Sequence, residues 1–222
     1  MFAPQSNRAE TGPNWYDEDI YDLKSLHFKS VLGEPHQTML GALLGWDVGG
    51  PVDLWIYLNH IDATVFTTMQ LVVPGSKEQK HNTLGMYELA AATRHFPNPV
   101  DEGNPPKERT NDTPYDKASL EIRSMLTMMA RYSGMRALNP NETAEIPSDD
   151  PGEEATYMIF DTLIGNEHHL ELSGEPYGIL LVTRVFKSEI DYARKNGTQL
   201  LIEKLKAANV YPLSDLDREP VI

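Results

Sequence analysis

The segment Val52-Asp53-Leu54-Trp55-Ile56-Tyr57-Leu58 constrains the fold most. Val52, Leu54, Ile56 and Leu58 fall on one side of an extended chain, and Asp53, Trp55 and Tyr57 on the other. Period-two alternation of β-branched and aromatic residues is a strand pattern. Large apolar groups stand on both sides, so the strand belongs to a sheet that is covered on both faces. Gly49-Gly50-Pro51 turns the chain just before it. Ala63 to Val73, rich in Val, Thr and Phe, reads as a second strand, and the short Asn59–Asp62 link makes the two a hairpin. If the second face were open, Trp55 and Tyr57 would form a partner-binding patch. If a helix covers it they are core, which is the expectation.

The run Gly178 to Phe186 (GILLVTRVF) is the most apolar strand and is expected at the centre of the sheet. Thr156 to Ile164 is another strand. In Leu84 to Thr93 the alanines favour helix, but the length and flanks favour a third strand. A first helix starts at Asp17, with Ile20, Leu23, Leu26, His27 and Val31 at helical spacing, and Gly33-Glu34-Pro35 stops it. Lys117 to Tyr132 is a second helix that buries Leu120, Ile122, Met125, Leu126 and Met129 and ends at Gly134. Ser188 caps a third, which Asn196-Gly197 terminates. Thr198 caps a fourth that buries Leu200, Leu201, Leu205 and Ala208, and a polar tail follows from Pro212. Residues 1–16 read as a loose tail, 96–115 as an exposed excursion and 139–154 as an acidic loop. Strands in the middle with helices grouped around them give an α+β domain spanning 17–222.

Charge narrows the function. With 33 acidic against 19 basic residues the net charge is −14. Such a chain repels phosphate backbones, so nucleic-acid binding is not expected, whereas a basic protein partner suits it. No cysteine is present, which removes disulfides, thiolate metal sites and cysteine nucleophiles. Residues 1–14 lack the pattern of a secretory signal, and no apolar run is long enough to span a bilayer. A cytoplasmic location and no membrane partner are the expectation.

No HExxH, GxSxG, GxGxxG or Walker-type loop occurs. The most catalytic-looking cluster is Glu167-His168-His169 with Glu171. Adjacent histidines on a strand point to opposite faces, so a metal there needs a further ligand, such as His81 or His95, delivered through the fold. A metal-dependent hydrolase built on His168 and His169 is the alternative function, and a plain surface turn is the expectation. Asp47 and Asp53 resemble an acid–base pair, but a hydrogen-bonding role for Asp53 is expected. Thr67, Thr68 and Ser119 lack an activating neighbour. Of Met125, Met128 and Met129, two lie on the buried stripe, so core packing is expected and not an adaptable binding surface. No catalytic residue, cofactor or metal is expected. A structural subunit of a homo-oligomer is a further possibility that the sequence leaves open.

Several runs together resemble the suppressor-of-fused (SUFU) domain family. Leu180-Leu181-Val182-Thr183-Arg184-Val185-Phe186-Lys187-Ser188-Glu189-Ile190 is similar to its apolar strand leading into a Glu-containing helix. Gly197, the Leu-rich 200–205 helix and Asp217-Arg218 follow in the family's order. Gly33-Glu34-Pro35, Val52–Tyr57, Thr67-Thr68-Met69 and Tyr87-Glu88-Leu89 are similar to its earlier elements. The threonine strand lacks the family's Gly-Met-Ser continuation, and 97–115 does not align. The resemblance implies a central, mostly antiparallel sheet flanked by helices. It also implies a non-enzymatic protein-binding role, and some bacterial relatives look like immunity proteins that neutralise toxins. The acidic residues Asp149, Asp150, Glu153 and Glu154 are the candidate surface for a basic partner.

Overall fold

A computed structural model describes residues 18–37, 39–44, 46, 49–73, 79–98, 113–148, 152 and 154–222. The expectations for 1–16, for Asp47, for most of 96–115 and for Asp149, Asp150 and Glu153 lie outside the described residues.

Strands β1 (Leu54–Tyr57), β2 (Thr64–Thr68), β3 (Met86–Thr93), β4 (Thr143–Ile146), β5 (Thr156–Ile164), β6 (Glu171–Leu172) and β7 (Glu175–Val185) form one sheet. Its order is β1-β2-β3-β7-β5-β4, with β6 folded onto β7. The pairs are antiparallel except β3–β7, so the sheet is mixed but mostly antiparallel. The expected hairpin is β1–β2, with Trp55 opposite Thr67 and Tyr57 opposite Val65. The expected central strand is β7, flanked by β3 and β5.

Helices α1 (Glu18–Leu32), α2 (Pro114–Met135), α3 (Lys187–Asn196) and α4 (Thr198–Ala207) cover both faces. Alternation along β7 sorts the layers. Leu180 and Val182 join Met158, Phe160, Leu89 and Phe66 beneath Ile122, Met125, Leu126 and Met129 of α2. On the opposite face Tyr177 and Ile179 pack with Phe28 and Leu32 of α1, and Val185 with Ile190 of α3 and Leu201 and Ile202 of α4. The alanines of β3 sit between two covered faces: Ala91 meets the α2 layer, and Ala90 and Ala92 meet the α1 layer. Packing from both sides overrides their helix preference.

Several boundaries differ from the sequence reading. The second strand stops at Thr68, short of Val73, because the chain turns there to wrap a buried carboxylate. Helix α2 begins three residues earlier than Lys117 and runs through Gly134. Thr113 and Asp116 form a capping box, with Pro114 at the first helical position. Leu120 is 67% exposed; the buried stripe instead takes in Ser119, Ala130 and Ser133. Part of the 139–154 loop is an edge strand, β4, paired with β5. Phe186 and not Ser188 caps α3, through its amide bonded to Glu189, and Gly197 precedes Thr198 at the start of α4. Leu200 and Ala208 are exposed and Ile202 is buried in their stead. The residues after Pro212 are docked: Leu213 bridges Ala92, and Ser214 bonds the Ala92 carbonyl at 2.8 Å.

The largest reorientation is in α1. Its inner face is Lys24, Phe28 and Leu32, while Leu23 and Leu26 are exposed. Lys24 is 3% exposed and donates to the Met69 carbonyl, to the Val72 carbonyl at 3.1 Å and to Glu88 at 2.8 Å. Glu88, fully buried on β3, also accepts the Thr68 hydroxyl at 2.6 Å and the amides of Leu71 and Val72. Removing one member of a buried, hydrogen-bonded ion pair strands the other charge, at a cost of about 3–5 kcal/mol. We expect Lys24→Met to lose about that much stability in urea-induced unfolding; a loss under about 1 kcal/mol would contradict this role for the pair.

Candidate functional site

Three buried carboxylates organise the polar interior. Glu88 holds α1 and the turn after β2, as above. Glu189, at the third position of α3, is fully buried and receives Arg218 in a two-point contact of 2.6 and 2.8 Å. It also accepts the amides of Phe186 and Val221, both at 2.9 Å. The Arg218 guanidinium lies 4.9 Å over the Phe186 ring, so stacking and a matched planar pair act together. Burial alone would raise the Glu189 pKa. The Arg218 hydrogen bonds, with the Val221 and Phe186 amides, outweigh burial and hold it below the ordinary value.

Asp215 closes the far end of β3. It accepts the Thr93 hydroxyl and the Arg94 amide, the latter at 2.8 Å. His95 Nε2 lies 3.7 Å from an oxygen of Asp215 and 3.7 Å from one of Asp217. Arg94 flanks the same two carboxylates at 3.5 and 3.8 Å.

The residues singled out from the sequence do not converge into a reaction centre among the described residues. His168 and His169 are exposed in a short turn, and His168 faces Glu167 at 3.4 Å. Neither belongs to the one group with metal-holding spacing found among the described residues, which is His95, Asp215 and Asp217. His81 is exposed. Asp53 accepts the Ala42 amide and the Gln70 side chain, as a loop-bracing carboxylate does. Thr68 donates to Glu88, and Ser119 donates to the Asp116 carbonyl. Met125 and Met129 are core, and Met128 is exposed. Tyr57 is fully buried and Trp55 half-buried, with Tyr21 of α1 edge-on to Trp55 at 5.5 Å. Tyr57 is therefore core, as expected, and Trp55 packs at the edge of the same cluster. Glu154, the described member of the acidic surface, is exposed.

An open groove of about 370 Å³ lies between Arg136, Glu142 and Thr143 on one side and Arg194, Gly197 and Thr198 on the other. Arg136 pairs with Glu142 and Arg194 with Glu145, so the groove is charge-balanced. Leu43, Leu44, Leu120 and Met135 are exposed; scattered apolar side chains are ordinary on a protein surface and define no site by themselves.

No protein-family model matches the sequence, and no curated protein matches it. Structural comparison gives a clear result. A crystal structure of the Sufu–Fu complex matches with a TM-score of 0.55 at 12% identity, over 95% of this chain and 93% of that one. A SUFU (suppressor of fused protein) homolog from Neisseria gonorrhoeae FA 1090 matches with a TM-score of 0.54 at 10% identity, over 92% and 98%. The chain is a mixed α+β domain with the suppressor-of-fused fold. The likeness extends over nearly the whole chain, as the order of the sequence motifs implied.

The depressed Glu189 pKa sets a pH dependence. A carboxyl lowered on folding contributes stability above its ordinary value of 4.5, and that contribution is lost as pH falls through the lower folded value. We expect Glu189→Gln to be less stable near neutral pH, with a shallower decline in acid, in unfolding curves recorded from pH 7 to 3. Parallel curves for variant and wild type would contradict the assignment.

Proposed function

We propose that this chain is a non-enzymatic protein-binding domain of the suppressor-of-fused type that works in the cytoplasm and takes a basic protein partner. The observation that carries the reading is the fold, shared over nearly the whole chain with a protein crystallised as a Sufu–Fu complex. The chemistry of the interior agrees with it. The buried ionisable groups Glu88, Lys24, Glu189 and Arg218 bond to one another and to backbone amides and carbonyls, which is a structural use of charge.

The net charge of −14 supports a basic partner, because complementary potentials speed encounter and suppress wrong pairings. Asp149, Asp150, Glu153 and Glu154 concentrate that charge in one short stretch and are the proposed contact surface. A toxin-neutralising immunity role is the finer reading, since many nuclease toxins are themselves basic. Among the described residues no helix is long and apolar enough to cross a membrane.

The test is affinity co-purification at low salt, comparing wild type with the variant D149K/D150K/E153K/E154K. A basic protein retained by the wild type, and lost with the variant and on raising the salt, is the expected result. Retention that ignores the charge reversal removes this surface, and failure to retain any protein other than a second copy of the chain contradicts the binding role. Rescue of cells expressing the captured partner would establish the immunity reading.

A further inference from the structure

We propose that His95, Asp215 and Asp217 form a binding site for a first-row divalent cation, with zinc as the representative ion, that ties the C-terminal segment to the end of β3. The site is independent of the partner-binding reading and involves no hydrolysis. It joins residues from distant parts of the chain, which the sequence gives no means of grouping.

The geometry carries the proposal. His95 Nε2 stands 3.7 Å from Asp215 Oδ1 and 3.7 Å from Asp217 Oδ2. All three donor atoms lie within 4.8 Å of one another. Donors about 2.1 Å from a shared zinc ion are separated by roughly 3.0–3.4 Å at octahedral or tetrahedral angles. The two His95 separations need a closure of only a few tenths of an ångström, and the carboxylate oxygens, within 4.8 Å of each other, complete the set by a larger movement of Asp217. Asp217 is more than half exposed and can make that movement.

The Asp215 carboxylate and the His95 backbone are already held. Asp215 is fixed by the Thr93 hydroxyl and the Arg94 amide. His95 is held through its backbone, its carbonyl accepting Thr64 Oγ1 at 2.8 Å and its amide donating to Thr93 Oγ1 at 3.2 Å. The Asp215 segment is anchored in turn, because Ser214 bridges the diverging ends of β3 and β7 through the Ala92 carbonyl and the Arg184 amide.

Arg94 is the obvious competitor, but it takes the opposite oxygens. Its Nε faces Asp215 Oδ2 and its Nη2 faces Asp217 Oδ1, whereas Asp217 Oδ2 and Asp215 Oδ1, which also accepts the Thr93 hydroxyl through a second lone pair, face the imidazole. The guanidinium stands at ion-pair distance on the outer side of both carboxylates and its Nε and Nη2 hydrogen-bond neither, which leaves their inner oxygens to the imidazole side. Two carboxylates against one guanidinium leave the group with a negative charge that a cation neutralises. One imidazole nitrogen with two carboxylate oxygens favours zinc, manganese or their neighbours over magnesium and calcium, which prefer all-oxygen sites.

The experiment is calorimetric titration of chelator-treated protein with zinc at neutral pH, using wild type, His95→Ala, Asp217→Asn and the control His168→Ala/His169→Ala. One ion per chain is expected, with affinity reduced at least about tenfold in each of the first two variants and unchanged in the control. Zinc should also slow hydrogen exchange at the Ser214 amide. Asp217 is exposed, so its variant carries the test should His95→Ala fail to fold. Absence of one-to-one binding, or binding that survives Asp217→Asn and disappears in the control, would overturn the site.

Discussion

The burial of Glu88 conditions the rest of this structure. A carboxylate placed at the centre of a sheet that is covered on both faces is stable only when its charge and lone pairs are met. Lys24 supplies the charge, and Thr68 and the amides of Leu71 and Val72 supply the hydrogen bonds. That requirement decides which face α1 turns inward. It also ends β2 at Thr68 and folds the following residues back over β3. With α1 seated, Phe28 and Leu32 close the second face over Tyr57, Tyr177 and Ile179.

The same arrangement recurs toward the C-terminus. Glu189 gathers the start of α3, Arg218 and the Val221 amide, and Asp215 gathers Thr93 and Arg94. Each joins segments far apart in sequence, so the last residues of the chain are part of the domain. These acids hold the fold through protein groups, and Asp215 does so from within the proposed cation site. The other acidic residues account for most of the net charge of −14, on which the proposed binding role rests.

Much of the sheet was legible because its strands carry strong local patterns. β1, β5 and β7 follow directly from alternation or from apolar runs between turns, and the covered second face followed from Trp55 and Tyr57. The inner face of α1 was misread for a physical reason: Lys24 counts as polar in any periodicity, and its burial depends on Glu88, sixty-four residues away. The docked C-terminal segment was hidden likewise, since Ser214 and Asp215 are polar and their partners lie on β3 and β7. Thr113-Pro114 with Asp116 was a readable capping box that the prolines of the preceding loop obscured. Glu189 and Arg218 were both visible as parts of the family resemblance, but only the fold shows that they bind each other. No pattern links His95 to Asp215 and Asp217, because the three meet only through β3 and the tail.

If buried carboxylates are what fasten this fold, the amides they accept must be protected as strongly as the sheet, although they lie outside regular elements. Native-state hydrogen exchange at Leu71, Val72 and Val221 measures this directly. The account predicts that all three exchange only in openings comparable to those that release the β3 and β7 amides. Exchange at the rate of exposed loop amides would contradict it.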